Sequence, residues 1–194
     1  MNHLITSWDI AIDRLLQGGI GVVPTDTVYG LVACAKNRQA VERLYAIKYR
    51  SHKPGTLAAA STEELLVLGF PEKNLAQVKH FWPGQLSAVL PLEGTFAYLH
   101  QGLGDLAVRI PDNPEFLAIL QRTGPLQTTS ANSPGAPVST TIQEAIDYFG
   151  DAVDFYVNGG NLSGRLPSTV VRVAADNTLT LLRAGAVDIS HLQQ

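Results

Sequence analysis

Five short stretches hold residue types that could do chemistry. The first is "PTDTVYGL", Pro24 to Leu31. Proline has no N–H to give a β-ladder, so an apolar strand stops there. Thr25, Asp26, Thr27 and Tyr29 then lie at a strand exit, where ligand sites of α/β proteins commonly form. Hydroxyls and free amides suit an amino-acid carboxylate, a hydroxyl or a phosphate; the same residues would also cap an ordinary turn. The second is Lys48-Tyr49-Arg50 with Lys53 close behind, at a helix end. The helix dipole alone favours cations there by ~0.3–1 kcal/mol each. Three cations within six residues repel one another, however, and a triphosphate would relieve that repulsion. The third is "TTSAN", Thr128 to Asn132, either a ligand-facing strand tip or an ST-turn. The fourth, "GGNLSGRLPSTVV", sets Gly159, Gly160 and Gly164 around Arg165 ahead of Ser168-Thr169. It lacks the Lys-Ser/Thr and the helix of a Walker A loop, but it could form an amide nest for phosphate. The fifth, Leu182-Arg183-Ala184-Gly185, says little by itself.

Other chemistries find no support. The five histidines, His3, His52, His80, His100 and His191, show no HExxH and no pair at ligand spacing, so no protein metal ligands are expected. Ser87 has no G-x-S-x-G elbow. Cys34 is the one cysteine, with nothing basic beside it, and reads as a small core residue. Trp82 and Tyr98 read as core or rim rather than stacking platforms.

The elements that must hold these stretches follow from periodicity. Trp8, Ile12, Leu15 and Leu16 have helical spacing, and Gly18-Gly19 ends that helix. "IGVVPT" is a short buried strand. Asn37 to Lys48 is a helix, Thr56 to Ala60 a strand, and Ser61 with Glu64 a capping box that opens a third helix. Leu75, Val78 and Phe81 mark a fourth helix, stopped at Trp82-Pro83-Gly84. Leu86 to Leu92 and Leu106 to Pro111 are strands. Asn113-Pro114 caps the next helix. "LQTTS" is a strand, Thr141 and Glu144 make a second capping box, and Phe155 to Val157, Thr169 to Val173 and Leu179 to Arg183 are strands. Asp176-Asn177 supplies the turn between the last two. Strands and helices alternate imperfectly, with two direct strand-to-strand connections, which predicts an α/β domain with a mixed, twisted sheet.

The chain has 194 residues, which suits one domain, 1–194, able to bury roughly 70% of its unfolded surface without staples. No apolar run approaches the ~20 residues of a membrane helix, and the first residues do not form a secretory signal. A single cysteine fits a reducing compartment, and a cytoplasmic location is expected. The net charge of −3 speaks against a DNA-coating protein. Lys48, Arg50 and Lys53, with Arg109, Arg165, Arg172 and Arg183 placed singly, suit a small anionic ligand in one cleft.

In order along the chain, "PTDTVYGL", Lys48-Tyr49-Arg50, Lys53-Pro54, "FWPGQLS", "LAVRIPDNP", "TTSAN", "PSTVV" and "LLRAGA" resemble the YrdC/TsaC family, the threonylcarbamoyl-AMP synthases, over about residues 10 to 187. The resemblance is to the single-domain form. It implies an open twisted mixed β-sheet flanked by helices, with a basic concave cleft. It implies a nucleotidyltransferase reaction: L-threonine, bicarbonate and ATP, with Mg²⁺ accompanying ATP, give threonylcarbamoyl-AMP and pyrophosphate. The product feeds t⁶A formation at position 37 of tRNA through a downstream threonylcarbamoyl transferase complex. By the resemblance Thr25, Arg109, Thr129 and Ser168 would hold threonine. Lys48, Arg50, Lys53, Ser130, Asn132 and Arg183 would bind ATP, with Lys48, Arg50, Ser130 and Asn132 acting in catalysis. The alternative is a paralogue of the same fold that binds tRNA, double-stranded RNA or a nucleotide without this activity. The chain departs from the family pattern in having only Ser51 and His52 between Arg50 and Lys53, where three residues are usual. Gly55-Thr56 follows Pro54 before the strand, and Asp26 replaces a common glutamate. As exposed cleft cations, Lys48 and Arg50 are expected to tolerate alanine with a stability change within ~1 kcal/mol. Ser133 to Val138 is expected to be a lid.

Overall fold

The computed structural model describes residues 5–49, 52–92, 94–174 and 178–189. In chain order the strands are β1 (Ile5–Thr6), β2 (Ile20–Val23), β3 (Gly30–Cys34), β4 (Thr56–Ala58), β5 (Leu86–Pro91), β6 (Asp105–Arg109), β7 (Leu126–Ser130), β8 (Phe155–Val157), β9 (Thr169–Val173) and β10 (Leu179–Arg183). The helices are α1 (Trp8–Leu16), α2 (Arg38–Ile47), α3 (Thr62–Val67), α4 (Glu72–Val78), α5 (Pro114–Thr123) and α6 (Ile142–Phe149).

Side-chain caps start four of the six helices. Asn37 Oδ1 accepts from the Ala40 amide at 3.1 Å and Asn113 Oδ1 from the Phe116 amide at 2.9 Å, with Pro114 in the first turn. Ser61 and Thr141 accept from the amides of Glu64 and Glu144, each at 3.3 Å. Both glutamates reach back one residue further than a capping box requires, to the amides of Ala60 at 2.8 Å and Thr140 at 2.6 Å.

All ten strands form one sheet in the order β1-β8-β2-β3-β7-β4-β6-β5-β9-β10. β8 pairs parallel with β1 and β2, β4 with β6, and β5 with β9; the remaining neighbours are antiparallel. The expected mixed sheet is therefore present. The hairpin of β2 and β3 is not among the elements expected from the sequence, which assigns no strand to Gly30–Cys34. Those five residues are all buried and apolar or glycine, so periodicity carries no strand signal there. The expected turn at Asp176-Asn177 and His3 and His191 lie outside the described residues.

The two faces of the sheet are covered unequally. One face packs Val41, Leu44 and Tyr45 of α2, Leu65 of α3, Leu75 and Val78 of α4, and Ile142, Ile146 and Phe149 of α6 against Leu31, Leu57, Leu90 and Val108. On the other face Ile12 and Leu15 of α1 and Phe116, Ile119 and Leu120 of α5 cover Val23, Val32, Ala58, Leu126 and Phe155. Further along that second face, the register aligns Thr56 with Ala107, Ala107 with Val89, and Val89 with Arg172. These residues line a cavity instead of a helix interface. Cys34 is buried, and burial pushes its thiol up to about 11, in keeping with a core residue.

Candidate functional site

The cavity holds about 340 Å³, within the usual range of small-molecule sites, about 300–1,000 Å³. It brings together six of the expected residues, Thr25, Arg109, Thr129, Ser130, Ser168 and Arg183, from segments more than 150 residues apart. Two glycines let the backbone close around it. A Cβ on Gly55 would stand 2.0 Å from the Thr128 carbonyl oxygen, and one on Gly185 would stand 2.3 Å from that of Pro167.

The loop between β2 and β3 is tied by a hydroxyl relay. Thr25 Oγ1 donates to the Val28 carbonyl at 2.7 Å and accepts from the Thr27 amide at 3.2 Å. Its one proton is then committed, so the 3.1 Å contact between the two hydroxyls has Thr27 as donor. Thr27 Oγ1 in turn accepts from Arg109 Nη1 at 3.2 Å. The Thr25 hydroxyl is thus filled by its own loop: Thr25 caps the turn, as one reading of this stretch expected, and also walls the cavity.

Arg109, at the end of β6, is 5% exposed, and Nη2 lies 3.2 Å from Asp26 Oδ1. Asp26 Oδ2 accepts from the Asp112 amide at 3.2 Å. Burial pushes the Asp26 carboxyl above its ordinary value and the Arg109 guanidinium below its own, and their mutual attraction opposes both shifts. The Arg109 Nε has no hydrogen-bond partner, and the positive charge of Arg183 also acts on this group. Arg183, from β10, donates through Nε at 3.2 Å and Nη2 at 2.7 Å to the Ser168 carbonyl, and through Nη2 to Ser168 Oγ at 3.2 Å. Ser168 Oγ is 2.9 Å from Ser87 Oγ. Burial lowers the Arg183 pKa. Further out, Arg172 Nη1 pairs with Asp105 Oδ2 at 2.7 Å, and both residues line the cavity.

Lys48 sits elsewhere than expected. It is 3% exposed, not an open cleft cation, and is not among the residues lining the cavity. From the end of α2 its ammonium passes beneath the turn after β7. There it donates to the Ser130 carbonyl at 2.9 Å, to Asn132 Oδ1 at 2.9 Å and to the Asn132 carbonyl. Ser130 Oγ donates to Asn132 Oδ1 at 2.7 Å, and Asn132 Nδ2 to the Ala136 carbonyl at 2.7 Å. The expectation of a stability-neutral Lys48→Ala change is therefore corrected: the lysine is built into the turn. Thr129 Oγ1, one residue before that turn, is buried without a partner. Arg50 lies outside the described residues. Lys53 is exposed and does not line the cavity, although Pro54 and Gly55 do; its amide donates to Gln101 Oε1 at 2.9 Å. None of residues 133–138, the expected lid, lines the cavity either.

Ser87 and Asp105 line the site without having been assigned to it from sequence, and Arg172, one of the cations expected in the cleft, lines it too. The pairing of Asp26 with Arg109 was not expected, because at 83 positions apart no local pattern reports a pair. Tyr29 acts at a distance as well: its hydroxyl donates to the Gly160 carbonyl at 2.8 Å and accepts from the Gly159 amide at 2.9 Å, joining the first and fourth stretches. Among the described residues no cluster of three or more His, Cys, Asp or Glu is placed to hold a metal ion, and no helix is long and apolar enough to cross a membrane.

The threonylcarbamoyl-AMP synthase of Bacillus subtilis (strain 168) is 35% identical over 179 residues, 89% of this chain and 51% of that protein. The chain thus spans about half the length of that relative. The threonylcarbamoyl-AMP synthase of Pseudomonas fluorescens (strain Pf0-1) is 31% identical, over 91% of this chain and 98% of its own length. Among solved structures, Pyrococcus abyssi Sua5 complexed with L-threonine superposes with a TM-score of 0.86 at 30% identity, over 96% of this chain and 56% of that one. Escherichia coli YciO does so with a TM-score of 0.83 at 25% identity, over 98% and 96%. The Sua5/YciO/YrdC model, described as "Telomere recombination", matches residues 13–185. With fold, motif order and this match in agreement, the chain belongs to the Sua5/YciO/YrdC family.

Proposed function

We propose that this chain is a threonylcarbamoyl-AMP synthase, a nucleotidyltransferase that converts L-threonine, bicarbonate and ATP to threonylcarbamoyl-AMP and pyrophosphate for tRNA t⁶A37 formation. The observation that carries this reading is the assembly of Thr25, Arg109, Thr129, Ser130, Ser168 and Arg183 around one cavity. Relatives named for this activity, matched along nearly the whole chain, favour it over an RNA-binding paralogue.

In this reading the threonine amine is first carbamylated by CO₂ or bicarbonate. A carbamate oxygen then attacks the α-phosphorus, and pyrophosphate departs. The chain contributes orientation and charge, and no covalent protein nucleophile is required. Arg109, pre-set by Asp26 and Thr27, pairs with the threonine carboxylate. Ser168, held by Arg183, and the wall formed by Thr25 and Thr129 fix the rest of the amino acid. Ser130 and Asn132 present the turn to the nucleotide, and Lys48 shapes that turn and places its charge beneath it. Arg183 meets the nucleotide from the other side, with Arg50 and Lys53 assigned to the phosphates. Mg²⁺ enters with ATP as part of the substrate. Partial enclosure by the cavity protects a carbamate that water would destroy. Handing the product to a threonylcarbamoyl transferase complex, with or without direct tRNA contact, and a cytoplasmic setting complete the proposal.

The test is pyrophosphate release by the purified protein with ATP, Mg²⁺, bicarbonate and labelled threonine. Release that requires both threonine and bicarbonate is expected. Absence of turnover combined with salt-sensitive RNA binding would replace this reading with the paralogue one.

A further inference from the structure

The arginines near the cavity differ in how their charge is balanced. Arg109 is paired with Asp26 and Arg172 with Asp105. Among the described residues Arg183 and Arg165 have no ion pair, and Arg183 is already bound to Ser168 through three contacts. Arg165 is exposed, with one long hydrogen bond, from Nη1 to the Thr25 carbonyl at 3.4 Å.

The loop that leads to it is anchored on its N-terminal side. Tyr29 holds Gly159 and Gly160, and the buried Leu162 donates its amide to the Thr140 carbonyl at 2.8 Å. The Arg165 amide bonds back to the Leu162 carbonyl at 3.3 Å. Gly160 and Gly164, with φ of 76° and 81°, turn the loop so that Arg165 comes to Thr25. Thr25 is next to the turn that bears Ser130: its Cγ2 lies 3.4 Å from where a Gly30 Cβ would be, and Gly30 pairs with Ser130 across the sheet. Arg165 thus touches Thr25, which lines the cavity together with Ser130, and its loop is tied to the segment after Ser130 through Leu162 and Thr140.

We propose that Arg165 is a further polyphosphate-binding residue: its guanidinium leaves the Thr25 carbonyl and takes the β- and γ-phosphates of the nucleotide, the part that departs as pyrophosphate. This rests on the reading of the cavity as an ATP site. A guanidinium with one weak neutral partner loses little by moving, and a charge-assisted, forked contact to phosphate is far stronger than a 3.4 Å bond to a carbonyl.

The test compares wild type, Arg165→Ala and Arg165→Lys. Because the side chain is exposed, both variants should melt with the wild type. The expected result is a rise of about tenfold in KM for ATP in Arg165→Ala, with KM for threonine within about twofold, and partial recovery in Arg165→Lys. Product inhibition by inorganic pyrophosphate should weaken in parallel. Calorimetric titration of ATP, without turnover, should show the same loss in affinity, so it tests Arg165 even if the wild type forms no threonylcarbamoyl-AMP. Unchanged ATP affinity in Arg165→Ala, or a loss confined to threonine, would overturn the assignment. Failure of wild-type turnover with ATP binding intact and sensitive to Arg165 would instead remove the synthase reading and leave the phosphate site standing.

Discussion

Lys48 and Arg183 look alike in the sequence, each a cation at the end of an element, and the fold uses them in opposite ways. Lys48 is enclosed beneath the turn after β7, its ammonium spent on Ser130 and Asn132. Arg183 faces the cavity from β10 and grips the Ser168 carbonyl. The first cation belongs to the architecture that shapes the site; the second stands in the site itself. Asp26 extends the first kind of role to a buried pair. Burial, not motif membership, decides whether removing such a cation unfolds the site or merely disarms it.

The contrast can be broken in a graded series. Asp26→Asn should have the largest effect, because it leaves Arg109 buried, uncompensated and facing Arg183. A loss of about 3–5 kcal/mol is expected in urea unfolding, with threonine binding impaired even where the fold survives. Lys48→Met comes next, since it strips donors from buried carbonyl groups. We expect a loss of about 2 kcal/mol, seen as a Tm drop of about 4–8 °C, together with loss of turnover. Arg183→Ala should reverse the balance: turnover down by about 100-fold or more, with stability within about 1 kcal/mol of wild type. A Tm loss in Arg183→Ala as large as that in Lys48→Met would erase the distinction.

The smallest effect lies outside the site, in the pair of Arg43 and Asp154. Asp154 is bonded by Arg43 Nη1 at 2.7 Å and by the Ile20 amide at 2.7 Å. Burial alone would raise its pKa, but these partners more than offset that and lower it. With the folded value depressed, the contribution is present above the unfolded carboxylate pKa, near 3.8, and is lost as pH falls through the folded one. Arg43→Ala should therefore cost below about 1 kcal/mol at neutral pH, and the gap to wild type should close in acid denaturation below that point.

Much of this was legible where the signal is local. Asn37, Ser61, Asn113 and Thr141 announced helix starts because each cap bonds an amide three residues on, and each does. The apolar runs Leu86 to Leu92 and Leu106 to Pro111 read as strands because that signal is local too, and the strands form at Leu86–Pro91 and Asp105–Arg109. What escaped was non-local or lacked contrast. β3 is buried on both faces, so its residues do not alternate. The burial of Lys48 depends on carbonyl groups more than 80 positions later. Asp26 with Arg109, and Tyr29 with Gly159, are meetings that only the sheet order creates. Motif order could bring Thr25 and Ser168 to one cavity, but not show that the Thr25 hydroxyl is already filled by its own loop.

That sheet order also governs how the protein comes apart. β2 lies between β3 and β8, and β5 lies beside β9, so partners far apart along the chain must meet before either half of the cavity exists. Such non-local wiring slows folding. A bound substrate spanning Arg109 and Arg183 would act as a rivet across β6 and β10, and its clearest solution signature should be a slower global unfolding rate.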